Sequence, residues 1–203
     1  MAAERAAVRV ATLTGAAVAP ILDDLARLRI AVFRDFPYLY DGDLGYETWY
    51  LGRFAAAPDA MVVGAFADEQ LVGAATALPL VHEHCDFQAP FRAHGINPAH
   101  VFYLAESVLL PGWRGRGIGH AFFDAREAAG RRLGFETAAF CVVVRPADHP
   151  LRPVDYRPLD AFWRKRGYLP VEGLTTHFPW KDLGEAAETV KPMQFWSKPM
   201  VGG

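Results

Sequence analysis

Arg114-Gly115-Arg116-Gly117-Ile118-Gly119 stands between two runs of different rhythm. Before it, Val101 to Leu110 is nearly all apolar and reads as a buried strand. After it, Ile118, Phe122, Ala125, Ala129 and Leu133 recur at helical spacing. Alternating glycines let the backbone bend tightly and come close to a ligand, because no Cβ stands in the way. A helix start offers N–H groups without intrahelical partners and the positive end of the dipole. Strand, glycine turn and helix make a socket for phosphate, and Arg114 and Arg116 add charge to it.

Spacing narrows the ligand. A Walker-type loop ends in Gly-Lys-Ser/Thr, but Gly117 is followed by Ile118-Gly119, with no lysine and no magnesium-binding hydroxyl. A dinucleotide fingerprint puts its third glycine where this chain has His120. It also expects an acid at the end of the next strand, yet Thr137 to Val144 runs into Arg145.

Outward from the turn, Val8 to Leu13 reads as a first strand. Ile21, Leu25, Leu28, Val32 and Phe36 mark a helix that Pro37 stops, and Tyr46, Trp49, Tyr50 and Phe54 a second one. Met61 to Ala67 and Gln70 to Leu80, split by Asp68-Glu69, read as a hairpin. His82 to His100 is polar and contains proline, which predicts a long loop or an insertion. Thr137 to Val144 has the continuous apolar character of a central strand covered on both faces. A Pro-rich connection, Asp148 to Pro158, leads to a helix over Leu159 to Arg166, and Leu174 to Trp180 and Met193 to Lys198 form a late pair of strands. Arg164-Lys165-Arg166 is expected on a solvated helix face.

The Arg-x-x-Gly-x-Gly pattern of residues 114–119 after a hydrophobic strand resembles the GNAT superfamily of acyl-CoA N-acyltransferases. Ser107-Val108-Leu109-Leu110-Pro111-Gly112-Trp113 is similar to that family's fourth strand and turn. Phe162-Trp163-Arg164-Lys165-Arg166-Gly167-Tyr168 is similar to its last helix and Gly-aromatic exit. The resemblance implies one domain over residues 1–203 of α+β (mixed α/β) class. Its central mixed, mostly antiparallel sheet would have splayed fourth and fifth strands and helices on both faces. It implies transfer of an acetyl group from acetyl-CoA to a primary amine, directly within a ternary complex. The coenzyme would lie on Val108, Leu109, Leu110, Arg114, Gly115, Arg116, Gly117, Ile118, Gly119, His120 and Phe162, with a strand N–H near Val108 or Leu109 polarising the thioester carbonyl. The family's thiolate-protonating tyrosine would fall at Trp163, whose indole N–H is no useful acid; either the thiolate leaves without a protein acid or Tyr156 is the candidate substitute, packing on the sheet being its plainer role. That departure keeps open an alternative, a catalytically silent acyl-CoA-binding sensor.

The residues add their own readings. Glu106 is a lone carboxylate in an otherwise apolar strand, where burial favours taking up a proton. It is the candidate general base, and a structural pairing with an arginine is the other reading. Phe36, Tyr38, Tyr40 and Asp41 mix aromatic faces with a carboxylate, which suits a cationic amine, either a small molecule or a peptide; filling the core edge is the plainer role. His82-Glu83-His84-Cys85-Asp86 lacks a second ligand pair, so no metal is expected. Cys141, mid-strand among apolar residues, is expected to be inert.

The chain has 203 residues, 52% of them hydrophobic and 22% charged, as in globular proteins. Its net charge of −2 draws it to neither nucleic acid nor an anionic membrane. Glu4, Arg5 and Arg9 interrupt any leader-peptide core, no run reaches the roughly 20 apolar residues of a membrane span, and two cysteines make no disulfide framework. A cytoplasmic setting is expected, and a homodimer is compatible with the sequence.

Overall fold

The computed structural model describes residues 7–200; Glu4 and Arg5 lie outside them. The elements are β1 (Val8–Thr14), α1 (Leu22–Phe33), α2 (Leu44–Ala55), β2 (Met61–Ala67), β3 (Gln70–Pro79), α3 (Cys85–Ala93), β4 (Val101–Leu109), α4 (Ile118–Arg132), β5 (Thr137–Val143), α5 (Asp160–Lys165), β6 (Leu169–Trp180) and β7 (Thr189–Pro199). They build one sheet in the order β1-β2-β3-β4-β5-β7-β6. Among the described residues only β4 and β5 run parallel, and every other strand pairing is antiparallel. The expected mixed, mostly antiparallel sheet is therefore the one found.

Local chemistry sets the helix starts. Asp23 and Asp24 occupy the first turn of α1, where the dipole favours them. Asp43 caps α2 by accepting from Tyr46 N–H at 2.8 Å. Period-2 alternation then sorts the strands between two faces. Val62, Ala74, Val101, Tyr103 and Cys141 pack with Leu25, Leu28, Leu51 and Phe91 from α1, α2 and α3. Val63, Ala75, Phe102, Leu104 and Phe140 pack with Phe122, Phe123, Phe162 and Trp163 from α4 and α5. Helices thus cover both faces.

The 82–100 segment corrects the sequence reading, because it holds a helix, α3, rather than a long loop. Phe87 and Phe91, one helical turn apart, are buried beneath it. Pro90 lies inside that helix and cannot donate to the carbonyl of Asp86. That carbonyl accepts from Thr176 Oγ1 of β6 instead, at 2.7 Å. A partner supplied by a distant strand is what makes the internal proline tolerable. A second correction concerns Arg166. It turns inward to Asp124 at 2.6 Å and Glu127 at 3.1 Å rather than lying on a solvated face.

Candidate active site

The site grows from two irregularities in β4. Thr76 of β3 lies opposite Glu106, but Leu78 lies opposite Tyr103, so β4 carries one extra residue between them. A bulge of this kind interrupts alternation. Before it, Tyr103 and Ala105 face α1 and α2; after it, Val108 faces them again and Leu109 faces α4. Glu106 therefore points to the same side as Ala105. Strict alternation would have aimed it at α4. Buried Arg126 holds this spot from the other face, donating to the carbonyls of Thr76 (3.2 Å) and Glu106 (3.0 Å) and to Ser107 Oγ (2.8 Å). Burial pulls its pKa down to about 10.

The second irregularity is the divergence from β5. Pairing covers only Val101↔Thr137, Phe102↔Ala138 and Tyr103↔Ala139, and the strands then part. Leu110 N–H goes to Val72 O of β3 at 3.0 Å. By the alternation of an antiparallel ladder Val108 also faces β3, while Ser107 and Leu109 turn their N–H groups toward the gap. Of the two donors expected near the thioester, register favours Leu109.

At the open end of the gap lies the glycine turn. Gly115 and Gly117 adopt φ of +74° and +81°, and an added Cβ at either would meet nothing within 4 Å. Gly117 is the N-cap of α4, with no side-chain cap and no acid in the first turn. The N–H groups at this helix start are thus left for an anion, which fits the diphosphate of a coenzyme. Arg114 and Arg116 fold back onto their own turn, Arg114 Nε donating to Leu109 O at 3.2 Å and Arg116 Nη2 to Gly112 O at 3.1 Å. Phe162 stacks edge-on against His120 with centroids 4.9 Å apart.

On the opposite side of β4, α1 and α2 enclose a cavity of ≈ 360 Å³. Tyr38, Tyr40 and Asp41 line it, together with Tyr46, Tyr50 and Trp180. Phe36 does not; its ring meets Tyr156 at 4.7 Å, which brings two expected site residues together beside the cavity. Six carboxylates, Asp41, Asp43, Glu47, Glu83, Glu106 and Glu188, face two cations, Arg29 and Lys181. Glu106 Oε1 accepts from Tyr50 OH at 3.1 Å and Oε2 from Thr76 Oγ1 at 3.0 Å. Arg29, buried in α1, makes ion pairs with both Glu106 and Glu47. Burial alone would lower the Arg29 pKa, but the two carboxylates outweigh it and hold it above its ordinary value. The sequence reading missed Arg29 and Glu47. The one available signal was a charge on the apolar stripe of each helix.

The remaining expectations sort by burial. Cys141 is buried with Tyr103 OH 3.0 Å away, and burial pushes its thiol up to about 12, so it is a poor thiolate. Trp163 packs against Phe140 and Trp196 with centroids 5.1 and 5.2 Å away. Burial raises the Tyr156 pKa. Ligating atoms of His84, Cys85 and Asp86 come within 4.8 Å of one another on an exposed turn, where His84 Nδ1 caps α3 by accepting from Asp86 N–H at 3.4 Å.

A sequence model of the Acetyltransferase (GNAT) family matches residues 23–154, well over half of the chain. The chain belongs to the GNAT acetyltransferase family. It is accordingly an acyltransferase of a family that transfers an acyl group from acetyl-CoA to amines. Solved GNAT structures share the fold throughout. Ribosomal-protein-alanine N-acetyltransferase from Brucella melitensis matches at TM-score 0.61 and 16% identity, covering 94% of this chain and 99% of that one. Salmonella typhimurium yncA, solved with its cofactor acetyl-CoA, matches at 0.59 and 11%, covering 97% and 96%. Aminoglycoside 6'-acetyltransferase type Ii matches at 0.58 and 17%, covering 96% and 99%. At these identities the likeness is one of fold. No curated protein matches the chain. Among the described residues no helix is long and apolar enough to cross a membrane.

Proposed function

We propose that this GNAT protein acts as one acetyltransferase domain that moves an acetyl group from acetyl-CoA directly to a primary amine in a ternary complex. One observation carries the reading: the gap between β4 and β5 has a glycine-lined helix start at one end and an acid- and tyrosine-lined cavity beside it. N–H groups of Gly115 to His120 would hold the diphosphate of acetyl-CoA, and Val108 to Leu110 would run along its pantetheine arm. Bound there, acetyl-CoA supplies the activated acetyl group. Leu109 N–H, a fixed donor facing the gap, stabilises the negative charge that develops on the carbonyl oxygen.

The acceptor, a small molecule or a peptide, enters from the cavity as an ammonium. Carboxylates outnumber cations there and tyrosine rings supply aromatic faces, so a cation is favoured over an anion. Glu106 takes its proton, directly or through a water. Tyr156 is the candidate donor to the departing thiolate, since Trp163 is committed to the core; Tyr156→Phe should lower kcat by about tenfold or more, and an unchanged kcat removes Tyr156 from the reaction. A cytoplasmic setting fits the two free cysteines.

The experiment is CoA release from acetyl-CoA across a panel of primary amines. A silent sensor would bind CoA yet release none above background. Glu106→Gln should lower kcat by roughly 10²–10⁴-fold and remove the acidic limb of the pH–rate profile, with CoA affinity unchanged. Unchanged turnover across the pH range would rule Glu106 out.

A further inference from the structure

At the floor of the acceptor cavity one guanidinium serves two carboxylates. Arg29 meets Glu47 through Nε and Glu106 through Nη1. The Glu47 side chain is 0% exposed, and that of Glu106, on the cavity side, 13%. One positive charge cannot balance two negative ones, so the trio carries a net negative charge beside the cavity. As a device for stability it is poor: Glu47 Oε1 lacks a hydrogen-bond partner, and a buried carboxylate is costly to desolvate.

The other charged groups that face Glu106 are Glu83, in the turn after β3, and Arg126, which touches the Glu106 carbonyl from the α4 side. Tyr38, Tyr46, Tyr50 and Cys141 face it as well. Burial pushes their proton release up, so they stay neutral at working pH. Among the described residues, Glu47 is the other carboxylate ion-paired with the guanidinium that Glu106 uses. Were Arg29 and Glu106 a pair by themselves, giving Glu106 a proton would strand a buried cation. With Glu47 present, the proton leaves a neutral Arg29–Glu47 pair behind.

We propose that Glu47 is a positioning residue of the transfer reaction: it takes up the charge of Arg29, so that Arg29 can fix where Glu106 points without preventing Glu106 from accepting a proton. This rests on the reading of Glu106 as the base.

The test follows Glu106 by carbon NMR in protein carrying ¹³C-labelled glutamate, with Glu106→Gln to assign its signal. Glu47→Gln should move the Glu106 titration midpoint down by about one pH unit, and Arg29→Gln should move it up by about as much. The double exchange removes one charge of each sign and leaves only Glu106, on the cavity side, without a cation, so it is milder than Arg29→Gln, which strips both carboxylates of theirs. Its midpoint should stay close to that of the wild type. Kinetics with acetyl-CoA and tyramine, 1,4-diaminobutane or an alanine-terminated tripeptide should show the acidic limb shifting with the midpoint. A midpoint that Glu47→Gln leaves in place, or that the double exchange moves by a full unit, overturns the role of Glu47 alone. An acidic limb that survives Glu106→Gln overturns the base reading, and the part of Glu47 in the reaction with it.

Discussion

Gly117 allows the cost of a side chain to be divided into two parts. Its φ of +81° strains any L-residue, but an added Cβ touches nothing within 4 Å. Gly134, just past the far end of α4, has the same properties with φ of +84°. Leucine at either position should cost a similar amount of stability, about 1–2 kcal/mol from the left-handed backbone. Only Gly117→Leu should also weaken CoA, by at least about tenfold, or ~1.4 kcal/mol, because the open space at residue 117 is where the diphosphate would lie. Calorimetric titration with CoA alongside thermal melting separates the two effects. Equal CoA affinity in both variants would detach the glycine turn from the coenzyme. Residues differ in how plainly they speak from the sequence. Glu106 stands out as a carboxylate in an apolar strand, and Gly115 and Gly117 by their spacing. Arg29 and Glu47 do not, because periodicity reads the apolar stripe of a helix and assigns charges to solvent. Only the packing of α1 on α2 turns these two charges inward toward each other.

At the scale of elements, α3 depends on a bond its own sequence does not contain. The Asp86 carbonyl, freed by Pro90, has Thr176 Oγ1 as its donor. Thr176→Val should leave it unsatisfied, at a cost of about 1–3 kcal/mol by urea unfolding. Pro90→Ala, which restores the N–H that reaches this carbonyl, should recover much of that loss in the Thr176→Val background. Additive effects of the two exchanges would show that α3 is held by the Phe87 and Phe91 packing alone. This is also why the element could not be read in advance: proline and polar residues argue locally for a loop, and the compensating hydroxyl lies in β6. The strands were legible because alternation and continuous apolar runs are set within each strand. The β4 bulge was not, since it exists only in the register against β3, yet it decides which face Glu106 serves.

Over the whole molecule, the wall of the proposed acceptor cavity is held by residues far apart in the chain. Arg145, just beyond β5, donates to the carbonyls of Pro37 and Tyr38 at 2.8 Å each, and to both oxygens of Asp182 at 2.9 and 2.7 Å. Trp180 Nε1 joins the same Tyr38 carbonyl at 3.0 Å, and Asp41 N–H meets Lys181 O at 2.9 Å. The loop bearing Tyr38, Tyr40 and Asp41 is thus tied to the ends of β5 and β6. The glycine turn proposed for the coenzyme, by contrast, lies between β4 and α4. Arg145→Met should therefore raise the acceptor KM by on the order of tenfold while the acetyl-CoA KM stays nearly constant, a split that loss of general stability would not produce. Arg145→Lys should not rescue it, because one ammonium cannot span two carbonyls and a bidentate carboxylate. Acid should mimic the exchange. Burial by itself would raise the Asp182 pKa, but hydrogen bonds from Arg145 and Lys191 outweigh it and hold the carboxyl below its ordinary value. Such a group contributes its full stability above the unfolded value, near pH 4, and loses it as pH falls through the lower folded value. Wild type should then lose stability on acidification below about pH 4 more steeply than Asp182→Asn, whose amide does not titrate. Melting temperatures of the two proteins between pH 2 and pH 6 decide it. Parallel curves would mean that the Arg145–Asp182 tie does not hold the acceptor wall, and an acceptor KM unchanged in Arg145→Met would confirm that independently.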